Sequence, residues 1–323
     1  MEKNNGGQKL KLLVTGGGGF IGSTLLVSLA PVNEIICLDH GRKYPQLQTR
    51  MRDNVRLIKG DITNIDLIDE LMQDVDVVVH LAGGGGNTAC TRNPANAVMT
   101  YIYGTHLLLQ KAKEYNVKRF IFASTQSVYS TFKKREKPLH EDLELLPDDL
   151  YGALKAAAEH EIRDSMVDYV ILRFANVYGY GSGLFGAAEL GGAIGNFIKA
   201  AYEGSDITIF GTGEQKIDYV HISDVCRCIE LVLENPSINN EIFNIGSGHL
   251  HSIEEIAKIV SGVGEEMYKR NVNIKKVAAP HGKIWPDRLI SIEKIKQQLN
   301  WCPSISLKKG ISEMIEKYEG GMD

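Results

Sequence analysis

The chain has 323 residues, 43% of them apolar and 24% charged, with a formal net charge of −4. This is the balance of a globular protein with a sizeable core, and without a block of like charge it argues against nucleic acid or an anionic membrane as partner. No apolar run approaches the roughly 18 residues of a membrane span, and the first residues lack the apolar core of a secretory signal, so a cytoplasmic protein is expected.

In chain order, β-branched apolar runs at 11–15, 34–39, 55–59, 75–80, 119–123 and 169–172 predict strands buried on both faces. Helical patterns at 20–29, 66–72, 95–115 and 151–163 fall between them. The alternation predicts an α/β fold, a doubly wound parallel sheet of Rossmann type. Beyond residue 176 the rhythm breaks. A glycine-rich stretch over 179–195 leads to short strands at 207–210, 218–222 and 242–245, with helices at 223–234, 252–260 and near 307–318. The expected division is a dinucleotide-binding domain over 1–175 and a smaller, mixed substrate domain over 176–323, with segments near 213–246 candidates for return to the first. Cys37, Cys90, Cys226, Cys228 and Cys302 are scattered without ligand spacing, which predicts free thiols and no metal site.

The first strand runs into Gly16-Gly17-Gly18-Gly19-Phe20-Ile21-Gly22, and a helical pattern follows at once. Glycines let the backbone approach a pyrophosphate closely, and the helix N-terminus offers N–H groups and a positive dipole end. The run satisfies both common spacings of the motif, so spacing alone selects no subfamily. Asp39 ends the second strand, where a carboxylate can accept both ribose hydroxyls of adenosine and repels a 2′-phosphate. NAD is therefore favoured over NADP, although Arg42 stands close by. Asp61-Ile62 follows the third strand, at the place for a carboxylate near the adenine ring.

Tyr151-Gly-Ala-Leu-Lys155 opens a strong helical run, and the i, i+4 spacing puts phenol and ammonium on one face. A free tyrosine titrates near pH 10, too high for a base at neutral pH. A neighbouring lysine and a cationic cofactor ring would favour the phenolate. The fifth strand ends in Ser124-Thr125-Gln126-Ser127-Val128-Tyr129, which supplies hydroxyls to the same edge.

These segments, with His80-Leu81-Ala82-Gly83, Leu172-Arg173-Phe174-Ala175-Asn176-Val177-Tyr178-Gly179 and Phe243-Asn244-Ile245-Gly246, resemble the NAD-dependent epimerase/dehydratase family. Its members are extended short-chain dehydrogenases acting on nucleotide sugars, and the resemblance runs from about Lys11 to Pro303. It implies a C-terminal sugar-nucleotide domain, and a homodimer packed through a helix pair that includes the Tyr151 helix. It implies Thr125, Tyr151 and Lys155 as catalytic residues. For NAD it implies Gly16, Gly19, Phe20, Ile21, Gly22, Asp39, His40, Asp61, Ile62, Leu81, Ala82, Gly83, Ser124, Tyr151, Lys155 and Phe174. For the substrate it points to Gly84, Gln126, Asn176, Lys216 and Arg288.

Family dehydratases and decarboxylases resemble Thr-Asp-Glu-Val-Tyr and Thr-Ser-Glu-Val-Tyr at 125–129, where this chain has Gln126 and Ser127. Elimination needs a proton donor at the leaving hydroxyl, so loss of water is disfavoured. Reversible hydride transfer remains, giving 4-epimerisation if a 4-keto sugar turns over and is reduced on its other face. A reductase or dehydrogenase of a related alcohol is the competing reading. A non-catalytic NAD sensor is the third, opposed by the intact Thr125, Tyr151 and Lys155. Several substrate-side positions depart from the pattern. Ile217 and Ala279 stand where arginines clasp a diphosphate, Tyr101 replaces an asparagine, and Gly83–Gly86 opens the loop facing the sugar. Lys216, His281, Lys283 and Arg288 are the cations that remain, Arg288 foremost because its planar fork binds phosphate oxygens in pairs.

Overall fold

The computed structural model describes residues 9–41, 53–83, 85–130, 138–182, 192–278 and 287–320. Arg42, Gly84, Ala279, His281 and Lys283 lie outside the described residues.

The main sheet has seven strands in the order β10-β6-β5-β4-β1-β2-β3. They are β1 (Lys11–Thr15), β2 (Glu34–Asp39), β3 (Val55–Lys59), β4 (Val77–His80), β5 (Arg119–Thr125), β6 (Tyr169–Phe174) and β10 (Glu241–Ile245). β2, β1, β4 and β5 are parallel neighbours, with Thr15 level with His80 and Leu38. Strand order reverses between β1 and β4, so the crevice outside their carboxyl ends is the switch point at which such sheets take ligands. The apolar runs decide this. β4 and β5 are buried along their whole length, as strands covered on both faces must be.

The chain divides into two compact units. The first comprises 1–129, 145–173 and 226–243, and the second comprises 130–144, 174–225 and 244–323. The core of the first packs Leu13, Val78, Phe120, Phe122, Ile162 and Ile171. The second holds a three-stranded sheet, β11 (Leu250–Ser252), β9 (Lys216–His221) and β7 (Asn176–Tyr178), and a pair formed by β12 (Ile274–Val277) and β8 (Ile207–Phe210). Its core packs Phe197, Ile198, Ile256, Val260, Ile311 and Ile315.

The second unit adds strands at Asn176–Tyr178, Leu250–Ser252 and Ile274–Val277 and a helix at Glu293–Leu299 to the expected elements, and its helix expected over 252–260 runs Ile253–Tyr268. Three departures lie in the first unit. β5 runs on to Thr125, two residues past its apolar stretch, which carries the hydroxyls of Ser124 and Thr125 on the strand itself. The helix expected over 95–115 is three pieces: Pro94–Val98, a π-helical Met99–Gly104 and Thr105–Glu114. A further short helix, Gly86–Arg92, grows out of the glycine cluster.

Candidate active site

The glycine turn leads from β1 into the Phe20–Leu29 helix, whose start has no side-chain cap. First-turn N–H groups of a helix have no acceptor within the helix, which suits such an end to an anion. Gly18 lies against Asp39: a Cβ on Gly18 would stand 2.8 Å from the Asp39 carboxyl carbon. Its N–H donates to Asp39 Oδ2 at 3.0 Å, and Gly41 N–H donates to Oδ1 at 3.0 Å. A carboxylate has about four acceptor positions, so both oxygens keep capacity for ribose hydroxyls. The loop thus fixes the acid that would hold the adenosine end, and these residues fit a dinucleotide. His40 is largely exposed, with Nδ1 3.6 Å from Asp39 Oδ1. Asp61 Oδ1 accepts from Thr63 N–H at 2.9 Å and Thr63 Oγ1 at 2.8 Å in a local turn, and the residue is exposed. Ile62 is buried beside it.

Past β4, Leu81 N–H donates to Thr15 O at 3.0 Å and Ala82 N–H to Thr15 Oγ1 at 3.3 Å. These bonds tie the segment of Leu81, Ala82 and Gly83 to the end of β1. Thr15 Oγ1 also meets His80 Nδ1 at 2.7 Å, and His80 Nε2 meets Thr105 Oγ1 at 3.0 Å. Thr105 gives its single hydroxyl proton to Tyr101 O at 2.8 Å, so it must accept from His80 Nε2–H. His80 Nδ1 is then the acceptor for Thr15. Burial pushes His80 down to about 3, so the ring stays neutral.

Tyr151 sits in the first turn of the Leu150–Asp164 helix, which Asp149 caps by accepting Gly152 N–H at 2.8 Å. Gly152 permits the approach that builds the centre, since a Cβ there would lie 2.2 Å from Ser127 O. Tyr151 thereby meets the end of β5, with the Thr125 hydroxyl beside its phenol. Lys155 is buried and donates to Ala123 O at 2.5 Å. The chain therefore brings Thr125, Tyr151 and Lys155 together at the carboxyl edge of the sheet. The lysine alone does not depress the phenol. Burial pushes Tyr151 up to about 12, with Thr125 pulling weakly the other way. Burial also pushes Lys155 down to about 7, opposed by Glu159.

Ser124, expected to face the cofactor, donates its hydroxyl to Glu159. Glu159 in turn takes Arg173 Nη2 at 2.7 Å, and Arg173 Nη1 donates to Tyr129 OH at 2.8 Å. Sequence reasoning missed this buried cluster. Its one signal was Arg173, a cation directly after the apolar Val170-Ile171-Leu172. Gln126 is buried, and its Oε1 has no hydrogen-bond partner, an acceptor costly to bury without a donor.

Of the remaining candidates, Phe174, Asn176, Lys216 and Arg288 belong to the second unit. Phe174 is buried. Asn176 Nδ2 donates to Asp218 O at 3.3 Å. Lys216 is exposed, and its N–H donates to Asp287 Oδ1 at 3.0 Å. Arg288 forms a parallel β-bridge with Ile217. The chain thus places an arginine beside the position from which an arginine is missing.

The profile of the NAD dependent epimerase/dehydratase family matches residues 12–246. A UDP-glucuronate 4-epimerase from Thermodesulfobacterium geofontis is 31% identical over 94% of this chain and 94% of its own length. A dTDP-glucose 4,6-dehydratase from Streptomyces niveus is 29% identical over 96% of this chain and 93% of its own. Among solved structures, UDP-glucuronic acid 4-epimerase from Bacillus cereus, in complex with UDP-glucuronic acid and NAD, superposes with a TM-score of 0.83 at 28% identity, covering 96% of this chain and 99% of that one. No helix among the described residues is long and apolar enough to cross a membrane.

Proposed function

The chain belongs to the NAD dependent epimerase/dehydratase family, and from that premise we propose that it is a nucleotide-sugar 4-epimerase working through a transient 4-keto sugar. The observation that carries this reading is the meeting of Thr125 and Tyr151 at the end of β5, followed by Gln126 and Ser127 rather than by acids. The cofactor is NAD. Gly16, Gly19, Phe20, Ile21 and Gly22 would hold its pyrophosphate, Asp39 and His40 its adenosine ribose, and Asp61 and Ile62 its adenine. Leu81, Ala82, Gly83, Ser124, Lys155 and Phe174 would line its other half.

When bound, NAD supplies a hydride acceptor and a positive charge, and positive charge favours phenolate over phenol. The residues of the chain handle the proton. Tyr151 takes it from the sugar 4-hydroxyl, beside or through the Thr125 hydroxyl, and returns it when the ketone is reduced. Lys155 spends one of its three N–H donors on Ala123 O, leaving two for hydroxyls brought by a ligand. Gln126 offers its buried Oε1 to a substrate hydroxyl but has no acidic proton, which favours epimerisation over loss of water. The test is a panel of nucleotide hexoses and hexuronates incubated with the purified protein, with products separated and weighed. An epimer keeps the mass of the substrate, and loss of water or carbon dioxide would overturn the reading.

Asp39→Ala is expected to weaken NAD binding by about tenfold or more, on the order of 1.4 kcal/mol. It should also relax discrimination against NADP, because the same carboxylate holds ribose and repels phosphate. Calorimetric titration of both cofactors checks this. Equal binding of NAD and NADP by the unmodified protein would contradict the role given to Asp39.

A second reading is favoured by Ile217 and Ala279: an NAD-dependent reductase or dehydrogenase of a related alcohol, not bearing the usual diphosphate. Arg288 separates the two. A diphosphate in a cleft requires charge-assisted hydrogen bonds, and Arg288 lies across a β-bridge from Ile217. Arg288→Ala should raise the Michaelis constant for a nucleotide sugar by about tenfold or more, on the order of 1.4 kcal/mol, with a smaller change in turnover number. A silent variant, together with no nucleotide sugar bound by the unmodified protein, would leave the second reading in place. Assembly as a homodimer is part of the same proposal. Val98, Met99 and Tyr103 are exposed apolar side chains of the broken helix, and Leu150 is exposed on the Tyr151 helix. Sedimentation of the full chain reads the assembly directly.

A further inference from the structure

Tyr101 lies in the π-helical Met99–Gly104 and is buried. A π turn inserts a residue into the helical ladder and re-aims the side chains around it. Its backbone is anchored, since Tyr101 O receives the Thr105 hydroxyl at the end of the Thr15–His80–Thr105 chain. Its ring makes three contacts with the candidate centre. It meets the Tyr151 ring edge to face, with centroids 5.8 Å apart and an interplanar angle of 70°. Lys155 Nζ stands 5.0 Å from its centroid, with the Phe122 centroid 4.4 Å from the same nitrogen. A Cβ on Gly83 would fall 2.7 Å from Tyr101 Cε1, so the ring occupies the space that the glycine leaves.

We propose that Tyr101 is a positioning residue: its ring, seated against Gly83, fixes the Tyr151 phenol edge-on and holds the Lys155 ammonium against its face. Two features of the sequence become one under this assignment. Tyr101 in place of asparagine and the first glycine of Gly83–Gly86 are complementary, because the larger ring fits only where residue 83 has no side chain. The physical role follows from burial. An ammonium removed from water is stabilised by aromatic faces, and Lys155 lies near two of them with one hydrogen bond to Ala123 O. The titratable groups facing Lys155 are Tyr151 and Glu159 on its own helix, His80 on β4, Cys90 on the Gly86–Arg92 helix and Tyr101 itself. Glu159 favours the ammonium. His80 stays neutral, and the Cys90 thiol lies beside Tyr101 with its own titration raised by burial. The ring of Tyr101 thus adds to Glu159 in keeping Lys155 charged near neutral pH.

The assignment rests on the proposed function only in naming Tyr151 the base, and its test needs no turnover. The full chain is labelled with ε-carbon-13 lysine, Lys155 is assigned through Lys155→Met, and its resonance is titrated with pH. Unmodified protein is compared with Tyr101→Phe, Tyr101→Leu and Tyr101→Met, each checked for an intact fold by circular dichroism. The phenylalanine variant keeps the ring and should titrate with the unmodified protein. The leucine and methionine variants should titrate about one pH unit lower, the size of a desolvated cation–π contact. Titration unmoved in the leucine and methionine variants overturns the proposal. An equal fall in Tyr101→Phe also overturns it, by assigning the effect to the hydroxyl. Should both apolar variants unfold, Gly83→Ala decides the matter: it retains Tyr101 but drives its ring aside, and Lys155 must again titrate lower. Failure of the epimerase reading leaves this measurement intact, and failure here leaves Tyr151 in its proposed role.

Discussion

Tyr151→Phe is expected to lower turnover by about 10²–10⁴, the usual scale for loss of a general acid–base group. The phenylalanine keeps the ring packed edge to face on Tyr101, so the change removes a proton carrier and little else. NAD should still bind, because the glycine turn and Asp39 are set by β1 and β2, away from this side chain. The pH dependence carries further information. Burial within the protein holds Tyr151 at about 12 and Lys155 at about 7. The protein's own surroundings therefore favour a protonated phenol beside a partly charged lysine at neutral pH. Activity as a base needs the phenol brought down, which positive charge from bound NAD favours. Two measurements check the assignment: turnover of the substrate found in the nucleotide-sugar panel, and calorimetric titration with NAD. Turnover within about threefold of the unmodified protein would remove Tyr151 from its role.

The parts of this molecule that were legible in its sequence are those governed by short-range pattern. β1 to β4 are apolar runs, and the glycine turn is adjacent in sequence to the strand and helix that it joins. Thr125 was found by resemblance rather than by pattern, since a hydroxyl pair ending a strand looks like the start of a loop. The strand continues through Ser124 and Thr125 because their side chains find partners, Glu159 for one and the Ser127 N–H and Tyr151 for the other. The break at Met99–Gly104 left no trace in the hydrophobic pattern. A shift in hydrogen-bond register changes where side chains point without changing which residues are apolar. Charge from the lysine and the cofactor argues for a lowered tyrosine titration, and within the chain burial acts against it. Burial is a property of the packed chain, which spacing cannot supply.

Breaking the buried Glu159–Arg173 pair should cost the first unit much of its stability. Its side chains are 1% and 2% exposed, and Arg173 meets the carboxylate through Nε at 3.1 Å and Nη2 at 2.7 Å. Every charged atom is answered from inside. Ser124 donates to the carboxylate, and Tyr129 OH accepts from the guanidinium at 2.8 Å. Taking two such ions out of water costs several kcal/mol each, so the pair as a whole adds little. Removing one partner is different, because the other charge stays buried without compensation. Arg173→Leu is expected to destabilise the chain by about 3–5 kcal/mol. Glu159→Met with Arg173→Leu should recover much of that loss, since an apolar pair of similar volume carries no desolvation cost. Chemical denaturation followed by circular dichroism compares the three proteins. A single variant within about 1 kcal/mol of the unmodified protein would show that the arginine is not compensating a buried charge. The pair also reaches the candidate centre. Glu159 follows Lys155 by one helical turn and opposes the pull of burial on the lysine, so the double variant should fold yet hold Lys155 less charged at neutral pH. Recovered stability with a Lys155 titration moved downward is the expected pair of results. Recovered stability with Lys155 unmoved would confine the cluster to holding the Leu150–Asp164 helix on β5 and β6.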